Sequence, residues 1–198
     1  QGADINKPLD KGSTPLFVAS RKGHLDVVSI LLEHGADIDK ADDDGRTPLF
    51  IASWSGNDEV VSVLLEQGAD INKAWSIGLT PLLIASQKGH VNVVRVLLEH
   101  GADIDKAMNS GATPLFMASQ NGHVDVVRVL VEQGADINKP RASNGCTPLY
   151  VASEKGHMDV VRMLLEQGAD INKARDDGAT PLFIASYQGH VEVVRVLM

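Results

Sequence analysis

The sequence predicts an all-α fold, a stack of short helix–turn–helix units, on three observations. Thr-Pro-Leu recurs at Thr14, Thr47, Thr80, Thr113, Thr147 and Thr180, at intervals of 33 residues except for one of 34. A glycine stands eight residues beyond each of these prolines, at Gly23, Gly56, Gly89, Gly122, Gly156 and Gly189. After each glycine the chain carries Val-Val and Leu-Leu or closely similar pairs at helical spacing. Self-similarity at a fixed period of this size is the signature of a repeat architecture, in which one supersecondary unit is copied along the chain.

Taken in order, each unit begins with threonine as N-cap and proline at the first helical position, where the proline ring is already set for a helix and its missing N–H costs nothing. The glycine that follows ends this first helix, leaving it about two turns long. A second helix starts after Gly-His, with an acid near its positive end at Asp26, Asp58, Asp125, Asp159 or Glu192, where the helix dipole favours it. Gly35, Gly68, Gly101, Gly134 and Gly168 stop that helix, and the Gly-Ala-Asp-Ile-(Asn/Asp)-Lys run beyond reads as an extended connection and turn. The one extra residue falls in such a connection and is expected near Pro140 and Arg141. Helices this short are marginal alone, so the units must stack to bury their apolar faces, each coupled to its neighbours through residues such as Leu97 and Leu98.

Composition narrows the function. The 198 residues are 43% hydrophobic and 22% charged, as in ordinary globular chains. A formal net charge of -8 argues against nucleic acid, whose binding draws on clustered Lys and Arg. No apolar run is long enough to span a bilayer and no secretory signal is visible, so no membrane partner is expected. The single cysteine, Cys146, forms no internal disulfide, which fits an intracellular protein, cytoplasmic or nuclear.

The period, the Thr-Pro-Leu-Phe-Val-Ala-Ser run and the Gly-His-Leu-Asp-Val-Val-Ser-Ile-Leu-Leu-Glu-His-Gly-Ala-Asp-Ile-Asp run closely resemble ankyrin repeats. The resemblance covers essentially the whole chain as a single repeat domain, 1–198, with units at about 10–41, 42–74, 75–107, 108–141, 142–174 and 175–198. Residues 1–9 read as the tail of a preceding unit and the chain stops inside a second helix, so a fragment of a longer array is expected. The resemblance implies a solenoid with projecting hairpin-like turns and a concave face. One departure stands out. The family's histidine after Thr-Pro-Leu is here Phe17, Phe50, Leu83, Phe116, Tyr150 and Phe183, so apolar packing must replace its hydrogen bond.

Catalytic constellations are not expected. His24, His90, His123, His157 and His190 each hold the same place in their own unit, and stacked helices separate such copies by roughly 8–10 Å, too far to share a metal ion. They read as polar residues capping the turn between helices, with Asn57 as a compatible substitute. Asp37, Asp70, Asp103, Asp136 and Asp170 belong to a turn signature. Cys146 follows Gly145 without a local base, and no phosphate-binding loop, zinc-helix pair or nucleophile elbow occurs. No enzyme activity, metal or cofactor is expected.

The resemblance implies that the residues flanking the turn glycine and those closing the first helix form the concave surface. Among them, Trp, Tyr and Arg are the types that dominate binding hot spots. The candidate protein-binding residues are therefore Arg46, Trp54, Trp75, Ile77, Leu79, Lys88, Met108, Asn109 and Tyr187. The expected function is a protein-interaction scaffold with an unidentified protein partner; the alternative is a self-associating array that joins end to end through exposed faces. The segments ending at Asn72, Asn138 and Asn172 also resemble ankyrin turns whose asparagine is hydroxylated by an oxygen-dependent hydroxylase.

Overall fold

The computed structural model describes residues 2–198 and, among them, twelve α-helices and no strand. In chain order these are α1 (Pro15–Lys22), α2 (Leu25–Glu33), α3 (Pro48–Ser55), α4 (Asp58–Glu66), α5 (Pro81–Lys88), α6 (Val91–Glu99), α7 (Pro114–Asn121), α8 (Val124–Glu132), α9 (Pro148–Lys155), α10 (Met158–Glu166), α11 (Pro181–Gln188) and α12 (Val191–Leu197), with a short 3-10 turn at Asp10–Gly12. They fall into two compact units. One holds residues up to Ala85 together with Asn92–Asp103; the other holds Ser86–Val91 and Ile104–Met198.

Each first helix starts as its sequence dictates. The Thr14 hydroxyl accepts the Phe17 N–H at 3.2 Å and Thr47 accepts that of Phe50 at 3.1 Å, and the same cap recurs at Thr80, Thr113, Thr147 and Thr180. All these helices that carry a described cap end on a left-handed glycine, such as Gly56 at φ 81°, a conformation that costs glycine no Cβ clash.

The conserved-looking histidine does not cap its own second helix. His123, His157 and His190 make no side-chain cap bond. Each instead sends Nε2 back to a carbonyl near the end of the preceding unit's first helix, at Gln87 (2.9 Å), Gln120 (3.0 Å) and Glu154 (3.0 Å). Asn57 does the same through Nδ2, 2.8 Å from the Ser20 carbonyl. The rings fill the space over the preceding glycine: a Cβ on Gly122 would lie 2.8 Å from His157 Nδ1. That position therefore needs glycine for its neighbour's sake as well as for its own backbone.

Each compact unit has its core between its first and second helices. In the first compact unit Leu16, Phe17, Leu49 and Phe50 of the first helices, and Val61, Leu64, Val94 and Leu97 of the second, are almost fully buried. In the second compact unit Leu115, Phe116, Leu149 and Tyr150 pair with Val127, Leu130, Val161 and Leu164. Leu97 is fully buried, whereas Leu98 beside it is only half-buried; the joint rests on Leu97.

Four of the six slots taken by histidine in the resembling family are filled by rings under a lid. The Arg46 guanidinium sits 5.9 Å from the Phe17 ring centre, Trp75 packs 5.6 Å from Phe50, Arg141 lies 5.0 Å from Phe116 and Arg175 5.7 Å from Tyr150. In every case the lid comes from the turn of the following repeat. Cation–π and tilted aromatic contacts of this kind contribute about 0.5–1.5 kcal/mol each, while the hydroxyls of Ser20 and Ser119, three residues beyond Phe17 and Phe116, are buried without a hydrogen-bond partner.

The turns share a closing main-chain bond, as from Asp42 N to Arg46 O (3.0 Å), Trp75 N to Leu79 O (2.9 Å) and Met108 N to Ala112 O (3.0 Å). The corresponding bond from Arg141 N reaches Cys146 O. The extra residue thus lies after Arg141, among Ala142, Ser143 and Asn144, rather than near Pro140; Arg141 keeps its register as the lid on Phe116. The lengthened turn stays tied to its neighbours: Ala142 packs over Gly111, and the Asn144 carbonyl accepts the Asp176 N–H at 3.3 Å.

Candidate protein-binding site

In the first compact unit the sequence brings three rings together. Phe50 is buried in α3 by its place in the core face, and Trp54 follows one helical turn later on the same side. Trp75 arrives from the next turn and lies over Gly45, whose missing side chain leaves the indole Cδ1 3.9 Å from where a Cβ would stand. The centroid distances are 6.1 Å for Phe50–Trp54, 5.6 Å for Phe50–Trp75 and 6.4 Å for Trp54–Trp75, all tilted or edge-on. Both tryptophans stay half-buried. Each presents one side outward while the other is braced, a preorganised apolar surface.

The turn from Trp75 to Leu79 closes on itself through the paired bonds Trp75 N to Leu79 O and Leu79 N to Trp75 O. It carries Ile77 at its tip, 46% exposed. Leu79 is 4% exposed and corrects the sequence expectation: the position just before the Thr-Pro pair turns inward, as Ala112 and Cys146 also do. Leu79 supports the turn and offers no surface.

Arg46 is fixed in place. Its Nε and Nη2 donate to Asp42 Oδ2 at 2.8 and 2.6 Å, its backbone N–H donates to Asp42 Oδ1, and Nη2 also meets Asp44 at 2.7 Å. The Asp42 carboxylate is completely buried. Sequence reasoning missed both Asp42 and Phe50, because an acid among three in Asp-Asp-Asp and a core phenylalanine carry no sign of their role. The register does carry one: Asp42 stands where Trp75 stands one unit later.

The other expected residues lie in the second compact unit: Lys88 and Asn109 are exposed, Met108 is half-buried, and Tyr187, ending α11, is 77% exposed. Asn72 and Asn138 lie in the connecting tails. Their Oδ1 atoms accept the backbone N–H of Asp103 (3.3 Å) and Asp170 (2.9 Å), so they tie one unit to the next. Asn172 is exposed.

Chemically reactive groups are muted. Burial pushes the Cys146 thiol above its ordinary value, against the pull of Arg141 and Arg175, so it stays protonated and weakly nucleophilic near neutrality. The guanidinium of Arg175 hydrogen-bonds Asp177 and holds that carboxyl at about 2. Among the described residues there is no group of three or more His, Cys, Asp or Glu placed to hold a metal ion, and no helix long and apolar enough to cross a membrane.

Comparison with known proteins places this geometry. The family model described as ankyrin repeats (3 copies) matches residues 1–75, 72–141 and 139–198. The crystal structure of an ankyrin repeat domain from Acinetobacter baumannii AYE superposes with a TM-score of 0.84 at 33% identity, covering 92% of this chain and 95% of that one. No curated protein matches the sequence.

Proposed function

The chain belongs to the ankyrin-repeat family, and from that premise we propose that it is a non-enzymatic scaffold binding a partner protein on the face that carries its turn tips and first-helix ends. Ankyrin repeats are generally protein-interaction modules and the family is typically non-enzymatic. The observation that carries the finer reading is the Trp54–Trp75 pair braced on buried Phe50. Rings held rigid before binding lose little entropy on contact, which is why such residues become hot spots. Ile77 and Arg46 extend this surface, with Leu79 beneath it. Lys88, Met108, Asn109 and Tyr187 are contact residues of the second compact unit in the same reading. The mechanism needs no cofactor, and the net charge of -8 favours proteins over nucleic acid. A single cysteine, with no second one in the sequence to pair with, fits a reducing intracellular setting.

A pull-down that compares the chain with a Trp54→Ala, Trp75→Ala double variant tests the reading. Partners should be retained by the first and lost by the second; equal recovery of every retained protein removes the assignment.

A second reading is favoured by a different observation. Leu182, Phe183, Tyr187 and Val191 in the last helix pair are 37–77% exposed, as are Leu9 ahead of the first repeat and Val27 and Ile30 in α2 at 46–74%. These faces suit end-to-end self-association of copies. Sedimentation velocity distinguishes the two: growth with concentration favours association, and an invariant monomer excludes it. Hydroxylation of Asn72, Asn138 and Asn172 is a separate proposal. Incubation with an asparaginyl hydroxylase, iron and 2-oxoglutarate should add oxygen by intact mass, and an unchanged mass removes it.

A further inference from the structure

Within each compact unit the joints between repeats use the same three ties, and the first and last repeats hold opposite halves of all three. The first tie is a ring under a lid: Trp75 against Phe50, Arg141 on Phe116, Arg175 on Tyr150. Phe183 holds the ring register in the last repeat and is 60% exposed, where its five counterparts are at most 1% exposed. Leu9 holds the lid register, closes its turn by donating to the Ser13 carbonyl at 3.0 Å, and stands exposed. The second tie is the polar side chain at the head of the second helix. Asn57, His123, His157 and His190 bond the carbonyls of Arg21, Gln87, Gln120 and Glu154 and fill the space over the glycine beyond. The His24 ring has no hydrogen-bond partner among the described residues. Tyr187 holds the acceptor register in the last repeat, and a Cβ on Gly189 would meet nothing within 4 Å. In the third tie a tail side chain accepts the N–H of the next tail's aspartate: Asn6 from Asp37, Asn72 from Asp103, Asn138 from Asp170. Asn172 holds the acceptor register without a described bond to its side chain, and Asp4 holds the donor register. Apolar surface surrounds both sets of halves. Val27 is 46% exposed where its five counterparts are at most 1% exposed, and it lines a groove with Leu9, Pro15, Val18 and His24; Leu182 lies bare beside Phe183.

Resting on the reading of these faces as self-associating, we propose that copies of the chain join head to tail in the register of the repeats themselves. The first repeat of one copy seats on the last repeat of another: Leu9 covers Phe183, Val27 packs on the apolar face of the last helix pair, His24 Nε2 donates to the Tyr187 carbonyl over Gly189, and Asn172 Oδ1 accepts the Asp4 N–H. The occupant is a second copy because the matching halves stand on one chain and continue the joint already built between its own repeats. Such a joint is heterologous, so a pair of copies keeps one open face of each kind and assembly proceeds beyond two. Pairing of like faces, by contrast, sets Phe183 against Phe183, leaves His24 without an acceptor and stops at two.

The test is sedimentation velocity on the whole chain, on Val27→Glu, on Phe183→Glu and on an equimolar mixture of the two variants. Both sites are exposed, so circular dichroism should show equal helix content in all samples. The parent chain should sediment faster as concentration rises, past the value of a dimer. Each variant alone should remain a monomer, because every joint it makes needs its altered face. The mixture should form a one-to-one dimer and nothing larger: the intact last repeat of Val27→Glu receives the intact first repeat of Phe183→Glu, and the two altered faces left over repel each other. His24→Ala should weaken association of the parent about fivefold, the loss of one hydrogen bond, whereas His24→Asn should keep it, as Asn57 does within the chain.

Association that persists in either variant alone, a mixture that stays monomeric, or an effect of His24→Ala no greater than that of His24→Asn would overturn the head-to-tail register while leaving self-association in place. A parent chain that stays monomeric at every concentration would overturn both the register and the self-associating reading on which it rests.

Discussion

Replacing Phe50 with leucine separates what the ring does for the fold from what it does for the surface. The same register in the next repeat is Leu83, fully buried, so the framework accepts leucine at this place and Phe50→Leu should fold. What it loses is the brace. Phe50 makes two ring contacts, to Trp54 at 6.1 Å and to Trp75 at 5.6 Å, each worth about 0.5–1.5 kcal/mol beyond area burial. The variant should thus be destabilised by about 1–3 kcal/mol, a fall in Tm of about 2–12 °C for a chain of this size. With the brace gone, both indoles should become more mobile and more exposed. Acrylamide quenching at a temperature where the variant is fully folded should rise, the emission maximum should move to the red, and affinity for a partner should drop although Phe50 itself is 1% exposed. Stability lost with unchanged quenching would mean that the tryptophans are held by something other than this ring, and the argument for a preorganised surface would fail.

Other perturbations test separate links. Asp42→Ala leaves Arg46 without the buried carboxylate that fixes it; because the arginine side chain is 26% exposed, water relieves part of the loss and the cost should be about 1–3 kcal/mol by chemical denaturation. Cys146 should react with a thiol reagent at pH 8 far more slowly than a free thiol, and reach the free rate in denaturant, since burial both covers it and raises its pKa. The Asp177 carboxyl should titrate at about 2 by NMR and return toward the ordinary carboxylate range in Arg175→Gln; its folded value is depressed, so the pair persists above that range and is lost only as pH falls through about 2. Leu97→Ala removes a fully buried side chain and should cost about 2–5 kcal/mol, whereas half-buried Leu31→Ala should cost less. Hydrogen exchange should show the Leu97 effect concentrated in neighbouring repeats; uniform loosening throughout the chain would contradict nearest-neighbour coupling.

The fold was legible because each repeat states its own boundaries. Threonine and proline mark the start of a helix by chemistry that acts within four residues, and left-handed glycines mark its end, so no distant contact is needed to read either. Contacts between repeats were less legible. The histidine at the head of the second helix looks from sequence like a local cap, yet its ring serves the repeat before it, across 36 or 37 residues of chain. Likewise the identity of the lid on each ring depends on two residues in successive units whose pairing only the stack reveals. Of the proposed binding residues, Trp54, Trp75 and Ile77 were nominated from variability and residue type, and the structure leaves the first two half-buried and Ile77 exposed. Leu79 could not be placed correctly, because the alternation of side chains through a five-residue turn is set by its closing hydrogen bond.

These pairings have a consequence for how the surface and the framework depend on each other. In a repeat whose internal seams are joined by a side-chain hydrogen bond, recognition residues can be exchanged without touching stability. Here the residue covering the seam ring is itself a turn residue at the proposed recognition face: Arg46 over Phe17, Trp75 against Phe50. The same side chain joins adjacent repeats and borders the proposed binding surface. Substitutions at Trp75 should therefore move stability and affinity together, while substitutions at Ile77, exposed and outside any ring contact, should change affinity alone. Ile77→Ser and Trp75→Leu, measured side by side by thermal unfolding and partner titration, separate the two kinds of position. A Trp75→Leu variant as stable as the parent would show that the ring seam contributes nothing to the joint, and that the aromatic residues at the family's histidine position are only passive filling.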